Sequence, residues 1–242
     1  MIKQDRIPHI LKYMGGKREI LEDIQNAITA MDVQTNHFCD LFAGTSIVGY
    51  AFSDTYNVVS NDIQRYSAIL GNTYFVDLSN IKNVEKYVED IVGECSQIVA
   101  AQVFEYPDYH YEYREEMSFL EMESIENEQM SLIEKPFHTG FSLFKKCYSG
   151  TYWSYEQCMW IDAIRAVAER YANEPVFYPI MAALIFAASY STQSTGHFAQ
   201  YRTLTQGNYK SILLYRLKSV PQLFKRKLVE LIGSFQKPEG VN

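Results

Sequence analysis

The sequence predicts an α/β fold in which an incomplete parallel sheet is joined to a long helical segment. Two strand-turn-helix units lie near the start of the chain, over residues 38–52 and 56–70. From about residue 80 onward the apolar residues recur at helical spacing, and no further strand is evident. Alternating strands and helices favour a parallel sheet with right-handed crossovers, so we expect this sheet to be small and the remainder to be mainly helical.

The elements follow one another without long irregular stretches. An amphipathic helix with apolar positions from Ile20 to Ile28 comes first. Two predicted strands follow, and each has an acidic residue towards its C-terminal end. Asp40 lies within the first strand, and Asp62 comes directly after the second. The predicted helices, as residue ranges, are 17–31, 47–52, about 66–70, 84–103, 114–133, 155–171, 175–190 and a last one within 213–235.

These patterns divide the chain into three parts. Residues 1–79 form the half-core with the sheet, residues 80–212 a helical lobe, and residues 213–242 a return helix with a tail. The tail mixes Lys, Pro, Glu and Gly, which is typical of frayed ends and linkers.

The composition is that of a globular chain: 242 residues with 47% hydrophobic content can bury a sizeable core. The first ten residues carry charges and lack the apolar stretch of a secretory signal. The longest apolar run, residues 178–189, is about half of the roughly 20 residues that a membrane-spanning helix needs. We therefore expect a cytoplasmic protein without a membrane partner. Its four cysteines are widely spaced, which predicts neither a metal site nor a disulfide framework.

A formal net charge of −7 limits the binding of nucleic acid by the chain alone. Such binding comes mainly from Lys and Arg side chains that neutralise phosphates, so local basic patches or a partner have to supply the attraction. Acidic residues are concentrated between residues 112 and 134. A solvated helix face and an acidic docking surface are both open interpretations of that segment.

A glycine-containing turn follows the first predicted strand. It includes Asp40, Phe42, Gly44 and Ser46, and Asp62 comes after the next strand, about 20 residues on. In nucleotide-binding folds a glycine at such a turn lets the backbone approach the ligand, and such an acid receives the ribose hydroxyls. A structural β–α turn capped by Asp40 is the alternative.

A basic loop with two glycines opens the first helix, with the sequence Lys-Tyr-Met-Gly-Gly-Lys-Arg over residues 12–18. Free N–H groups at a helix start, together with glycines and a lysine, suit a carboxylate. A flexible turn is the alternative interpretation.

Three sequence features occur in a fixed order: the basic loop at residues 12–18 (the lysine loop), the turn that begins at Asp40, and the Ser-Asn-Asp sequence that ends at Asp62. Their order and spacing resemble the opening of the Dam-like (D12 class) adenine-specific DNA methyltransferases. The resemblance covers residues 11–70. It extends more loosely to residues 148–153, 161–165 and 195–201, which look like the target-recognition portion of some members. It implies a Rossmann-like methyltransferase core that binds S-adenosylmethionine, with a largely helical target-recognition insertion.

The resemblance also implies the cofactor site. Lys17 and the glycine backbone before it would face the methionine carboxylate, and Asp62 would hold the ribose. Ser46 stands where the family commonly has a second glycine, so a slightly altered turn is expected. The implied cofactor-binding residues are Tyr13, Gly15, Gly16, Lys17, Asp40, Phe42, Gly44, Ser46 and Asp62.

Double-stranded DNA is the implied substrate, and two segments combine charged or amide groups with aromatic rings, as phosphate and base contacts require. For the aromatic residues the alternative is packing beside a Ser154–Gln157 capping box. For His197 it is an ordinary hydrogen-bonded loop position. The candidate DNA contacts are Lys145, Lys146, Tyr152, Trp153, His197, Gln200, Tyr201 and Arg202, with Tyr148, Ser194 and Thr195 beside them.

The catalytic Asp-Pro-Pro-Tyr loop of the family is missing from these residues, because none of the seven prolines follows another proline, Asp or Asn. In the family this loop accepts hydrogen bonds from the adenine amino group and stacks on the flipped base. A truncated methyltransferase and a catalytically silent regulatory paralogue are both open. We favour an adenine-specific methyltransferase that is active only with a partner subunit supplying the loop, since a half-core leaves open sheet edges and exposed apolar surface. No catalytic residue and no metal ligand is assigned within the chain.

Overall fold

A computed structural model describes residues 9–11, 16–109, 112–138, 140–194 and 200–235. A 3₁₀ turn, Lys17–Ile20, leads into the first α-helix. In chain order the further elements are α1 (Leu21–Ala30), β1 (His37–Asp40), α2 (Ile47–Phe52), β2 (Asn57–Ser60), α3 (Arg65–Thr73), α4 (Val84–Val103), α5 (Phe119–Met130), α6 (Leu143–Tyr148), α7 (Tyr155–Arg170), α8 (Phe177–Ser191), α9 (Tyr209–Arg216) and α10 (Val220–Phe235).

The sheet is formed by β1 and β2, which pair in parallel in the described part of the chain. His37 lies opposite Asn57, and Asp40 lies opposite Ser60. Helix α2 connects the strands and packs against both of them. The α/β class and the parallel pairing that the sequence predicts are confirmed.

One face of this sheet is covered and the other is bare. Phe38 and Val58 point into the main core, and the ring of Phe38 lies 5.1 Å from that of Phe52. On the opposite face the register partners Cys39 and Val59 are exposed, Val59 to 59%. Strands of parallel sheets are normally buried on both faces, so the exposure of this face among the described residues departs from the usual surroundings of a parallel strand.

Helices α4, α7, α8 and α10 carry most of the core. Helix α8 lies along α10 and also contacts α3 and α7, while α4 packs against α7 and α10. The long apolar run of the sequence is buried within α8, as predicted. Among the helices that the structure describes, none is both long enough and apolar enough to cross a membrane.

A single hydrophobic cluster runs from Ile10 to Phe235 and draws residues from all three predicted parts of the chain. The helical segment therefore shares its core with the strand-containing segment. A smaller cluster of four buried residues joins α5 to α9, and these are Met117, Met122, Ile212 and Leu213.

Two predicted elements differ from the structure for identifiable reasons. The helix expected over residues 114–133 begins only at Phe119, because Ser118 caps it in a reciprocal capping box with Glu121. Residues 143–148, for which the sequence pattern predicts no helix, form helix α6. The carboxylate of Asp162 caps this helix by accepting the backbone N–H groups of Phe144 and Lys145, each at 3.0 Å.

Candidate functional site

The predicted cofactor residues meet at the carboxyl edge of the two-stranded sheet. Asp40 is the last residue of β1, and Asp62 follows the end of β2. Backbone bonds hold the two exits together: the Asn61 N–H donates to the Asp40 carbonyl at 2.8 Å, and the Ala43 N–H donates to the Asn61 carbonyl at 3.0 Å. Ligands of open α/β sheets bind at this edge.

The carboxylate of Asp62 connects the two loops. Its Oδ2 accepts the N–H of Gly44 at 2.8 Å, and its Oδ1 accepts the N–H of Gln64 at 2.9 Å. The backbone N–H groups of Gln64 and Gly44 lower the pKa of Asp62 from its ordinary value, so this carboxylate is ionised at neutral pH. Each carboxylate oxygen keeps acceptor capacity for a further donor such as a ribose hydroxyl.

The turn after β1 uses the left-handed backbone conformation twice, at Gly44 with a φ of 53° and at Ser46 with a φ of 59°. That conformation costs a non-glycine residue about 1–2 kcal/mol. Ser46 thus keeps a backbone shape that favours glycine. Its side chain is buried in space that Gly71 of α3 leaves open, since a β-carbon on Gly71 would lie 2.8 Å from the Ser46 Oγ.

Lys17 reaches the same turn from the 3₁₀ turn before α1. Its Nζ donates to the Phe42 carbonyl at 2.8 Å and lies 3.6 Å from the Oδ1 of Asp40. The other carboxylate oxygen, Asp40 Oδ2, is buried and has no hydrogen-bond partner among the described residues. A buried acceptor left unpaired costs free energy, and a ligand ammonium group placed there would satisfy it.

Exposed apolar side chains border this polar arrangement. Phe42 is 82% exposed and Leu41 59%, and Ile63, directly after Asp62, is 97% exposed. Adjacent exposed apolar residues mark binding surfaces. Sequence reasoning included Phe42 but missed Ile63, whose only local signal is its place beside the acid.

These donor and acceptor groups fit S-adenosylmethionine. Lys17 offers a cation for a carboxylate, Asp40 a free acceptor for an ammonium group, and Asp62 acceptors for hydroxyls. Gly16 immediately precedes the 3₁₀ turn. Tyr13 and Gly15, two further predicted cofactor residues, lie outside the described residues.

The two segments predicted to contact DNA lie side by side. The rings of Tyr152 and Tyr201 are 5.7 Å apart in an edge-on arrangement. Tyr201 also forms an isolated antiparallel bridge with Ser194. Tyr201, Gln200 and Lys146 are exposed.

Gln193 connects these segments although sequence reasoning did not single it out. It is 2% exposed, and its backbone N–H donates to the Tyr152 carbonyl at 3.1 Å. Its side-chain Oε1 accepts the N–H of Arg202 at 3.1 Å, and its Nε2 donates to the Thr151 carbonyl. The guanidinium of Arg202 is half-buried and lies 5.4 Å from the centroid of the Tyr215 ring.

The structure does not support Lys145 and Trp153 as direct DNA contacts. Lys145 is 0% exposed, and its Nζ lies 5.1 Å from the centroid of the Phe137 ring without a hydrogen-bond partner within the described ranges. Trp153 is 4% exposed, and its indole N–H donates to the Ala188 carbonyl at 3.1 Å. It packs beside the capping box at the start of α7, the alternative that the sequence left open. His197, with Thr195, lies outside the described residues.

Comparison with known families concerns the chain as a whole. The family model of the D12 class N6 adenine-specific DNA methyltransferases matches residues 13–237. The chain belongs to this family. The resemblance that the lysine loop and the turn after β1 indicate is thereby confirmed at the level of the family.

Individual relatives of this D12-class chain are bacterial DNA methylases. It is 27% identical over 198 residues to the Type II methyltransferase M.FokI of Planomicrobium okeanokoites, covering 79% of this chain and 26% of that protein. It is 25% identical over 229 residues to the Type II methyltransferase M.NlaIII of Neisseria lactamica, covering 89% of this chain and 55% of that protein. Identity reaches 42% over 60 residues with the modification methylase LlaI of Lactococcus lactis subsp. lactis, covering 25% of this chain and 10% of that protein.

The D12-class chain thus spans at most about half of the length of these curated relatives. No solved structure matches it significantly.

Proposed function

We propose that this chain binds S-adenosylmethionine and double-stranded DNA for methyl transfer to the 6-amino group of adenine, in a modification enzyme of a restriction-modification system. Its family and the names of its relatives support the reaction class. The observation that carries the cofactor assignment is the pairing of Lys17 with Asp40, whose second oxygen is buried and unpartnered among the described residues.

In this proposal the residues at the sheet edge hold and orient the cofactor. S-adenosylmethionine, when bound, supplies a methyl group activated by a sulfonium centre. Lys17 neutralises the methionine carboxylate, Asp40 accepts a hydrogen bond from the ammonium group, and Asp62 binds the ribose hydroxyls. Phe42 and Ile63 offer apolar surface to the rest of the nucleoside. Fixing the cofactor at several points lowers the entropic cost of bringing the methyl group to the base.

In the family, the Asp-Pro-Pro-Tyr loop acts on the adenine amino group. These 242 residues do not supply that loop in its usual form, since no Pro-Pro sequence occurs in them. We propose that the loop comes from polypeptide outside them, on a partner subunit as the sequence leads us to favour or on a continuation of the chain. The bare sheet face with Cys39 and Val59 supports a docking position for that polypeptide.

Duplex DNA is proposed to meet the surface that the two recognition segments share. Lys146 and Arg202 would position phosphates, while Tyr152, Gln200 and Tyr201 would reach bases or sugars. Lys145 and Trp153 support that surface from inside the protein and do not touch the duplex.

The cofactor assignment is tested by titration calorimetry with S-adenosylmethionine. Asp62→Ala is expected to weaken binding by at least about tenfold, since hydrogen bonds to a charged group are lost. Asp90→Ala is the matched control, because it removes an exposed acid on α4 that pairs only with Lys86 among the described residues. Equal affinity of Asp62→Ala and the unaltered chain would reject the assignment.

The need for an external loop is tested by transfer of labelled methyl groups to duplex DNA. We expect no transfer by the 242-residue chain and transfer once a polypeptide with the Asp-Pro-Pro-Tyr loop is added. Transfer by the chain alone would refute this requirement. A complex that binds the cofactor and DNA without any transfer would favour the catalytically silent alternative.

A further inference from the structure

The turn between α6 and α7, residues 149–153, lies directly on helix α5. It carries Tyr152, one of the side chains that we propose to contact DNA. Gly150 in this turn has a φ of 69°, and a β-carbon there would lie 2.7 Å from the Glu126 carbonyl oxygen and 2.8 Å from the Met130 backbone nitrogen. Only a glycine combines this backbone conformation with such a close approach, so the turn is seated against the backbone of α5.

A buried ion pair fastens the same turn to helix α9. The side chain of Arg216 is 0% exposed, and its Nε and Nη2 donate to the two carboxylate oxygens of Glu126, each at 2.6 Å. The same Nη2 donates to the backbone carbonyl of Thr151 at 2.9 Å. One guanidinium group therefore connects α9, α5 and the residue directly before Tyr152.

The carboxylate of Glu126 is itself held in place. The Tyr113 hydroxyl donates to its Oε1 at 2.9 Å, and the Nε2 of Gln129 donates to that hydroxyl oxygen at 2.9 Å. The Oε1 of Gln129 accepts the backbone N–H of Tyr155, the first residue of α7, at 2.8 Å. Two hydrogen bonds between an arginine and a carboxylate fix the geometry of the pair. The network thus supports the 149–153 turn and the start of the helix that follows it.

The position of Tyr152 follows from this arrangement, because its backbone is joined to the Thr151 carbonyl that Arg216 holds. The ring of Tyr152 lies 5.7 Å from that of Tyr201 in the second proposed DNA-contacting segment. We infer that Arg216, oriented by Glu126, is a positioning residue for DNA binding: it sets where Tyr152 is presented beside Tyr201. This inference rests on the proposed function, in which both tyrosines contact the duplex. Arg216 is buried and does not touch DNA itself.

The first test removes the ion pair without leaving a buried charge. Arg216→Met alone leaves the Glu126 carboxylate buried without its cation, which destabilises a fold strongly and does not separate positioning from unfolding. The double variant Glu126→Gln/Arg216→Met is neutral, and its amide oxygen can still accept the Tyr113 hydroxyl. We expect it to unfold at a higher temperature than Arg216→Met but to bind duplex DNA about tenfold more weakly than the unaltered chain.

Fluorescence anisotropy with labelled duplex measures DNA binding, and calorimetry is expected to show unchanged affinity for S-adenosylmethionine. If thermal unfolding shows that the double variant does not fold, Arg216→Lys takes its place with the same expectations. A lysine keeps a charge beside Glu126 but lacks the planar fork that spans the carboxylate and the Thr151 carbonyl. Full DNA affinity in the folded variant would overturn the inference, and so would equal losses of DNA and cofactor affinity.

A pair of glycines tests the seat of the turn independently. Gly150→Ala and Gly140→Ala each place an alanine in the left-handed conformation, at φ values of 69° and 57°, so they share that strain. A β-carbon at Gly140 has no atom within 4 Å among the described residues, whereas one at Gly150 meets α5. We expect about tenfold weaker DNA binding in Gly150→Ala and unchanged DNA binding in Gly140→Ala. Equal DNA affinity of the two variants would count against the inference.

A double-mutant cycle tests whether Arg216 acts through Tyr152. Tyr152→Ala is expected to weaken DNA binding by about tenfold, and adding it to Glu126→Gln/Arg216→Met should weaken binding by no more than about twofold further. Losses that multiply in full would overturn the inference. Unchanged binding in Tyr152→Ala, or failure of the unaltered chain to bind duplex DNA, would instead refute the DNA contact in the proposed function, and the inference with it.

Discussion

Lys17 and Lys145 carry the same side chain in opposite surroundings. Lys17 is partly exposed and joins the turn after β1 through a carbonyl and a carboxylate. Lys145 is buried, and burial lowers its pKa from the ordinary value of 10.5, with Asp162 opposing the shift. A buried charge without hydrogen bonds lowers the free energy of unfolding, and so destabilises the fold. Lys17 is thus suited to bind a ligand, whereas Lys145 destabilises the folded protein.

Replacement of Lys145 by methionine is therefore expected to raise the free energy of unfolding, by about 1 kcal/mol at neutral pH. Because the folded-state pKa of Lys145 lies below 10.5, the unfolded chain binds more protons between the two values. The unaltered protein then gains stability relative to Lys145→Met as pH rises through the folded-state pKa towards 10.5. The advantage of the variant is largest below that window and shrinks within it.

Urea unfolding of both proteins from neutral pH to about pH 10 measures this difference. Lys146→Met, at the exposed neighbouring position, is the control: we expect unchanged stability and weaker DNA binding. An advantage of Lys145→Met that stays constant with pH, or a loss of DNA binding in that variant, would contradict the burial argument.

Local sequence predicts the location of some candidate residues and misleads about that of others. Asp40, Gly44 and Asp62 were predictable, because a strand, a glycine turn and a distant acid form a recurring pattern. Lys145 was assigned to a DNA-contacting loop, because its neighbours in sequence are basic and aromatic. Its burial depends on α6, and that helix is capped by Asp162, which is 17 positions away from Lys145.

At the scale of elements, one buried glutamine connects the two segments that we propose to contact DNA. Gln193 binds the backbone of Thr151 and Tyr152 on one side and that of Arg202 on the other. Thr151, Tyr152 and Arg202 themselves lie outside the helices and the two paired strands of the structure. The relative position of Tyr152 and Tyr201 therefore depends on this side chain.

Gln193→Ala is expected to weaken binding of duplex DNA by about tenfold and to leave binding of S-adenosylmethionine unchanged, because only the recognition segments lose their connection. Fluorescence anisotropy at low salt measures the first quantity and calorimetry the second. Gln222→Ala, at an exposed position of α10, is the control. Parallel losses of both affinities would indicate general destabilisation and count against this role, and so would unchanged DNA binding.

The acidic segment between residues 112 and 134 contains both buried and exposed glutamates. Glu126 is buried and accepts two hydrogen bonds from Arg216, both at 2.6 Å. Glu115, Glu116 and Glu121 are exposed. Sequence reasoning could not separate these roles, since the arginine that pairs with Glu126 lies 90 positions away.

Helices were predictable where local signals suffice. The bounds of α4 and α7 agree with the sequence pattern, because Asn83 and Ser154 cap their first turns. Helix α6 was missed because its cap comes from a distant carboxylate. The parallel pairing was predictable from the order of strands and helices, but the bare face of the sheet was inferred only in general terms.

At the scale of the molecule, the parts of the chain share one main hydrophobic core, whereas the described sheet is covered on one face only. The main hydrophobic cluster joins the N-terminal segment, the helical lobe and α10. The sheet has one covered and one bare face in the described part of the chain, with Val59 on the bare face 59% exposed. A stable core therefore supports a surface that is suited to association.

Docking on that face is expected to shield Cys39, which lies on it opposite Val59. Cys147 of α6 is also exposed and serves as an internal control. With the polypeptide that carries the catalytic loop present, alkylation of Cys39 should slow at least about tenfold, since burial removes the thiol from reagent. Peptide mass spectrometry gives both rates. Unchanged alkylation of Cys39 in an active complex would place the docking surface elsewhere.

The shared core brings the N-terminal segment to α10, where the Nζ of Lys227 donates to the backbone carbonyl of His9 at 3.0 Å. This contact orders events in time. Synthesis begins at the amino terminus, and domains fold as their segments leave the ribosome. Residues 9–11 cannot take their place until α10 has been made, because the partners are 218 positions apart. Residues 9–11 are therefore translated well before their anchor on α10, and this contact closes only when synthesis of the helix is complete.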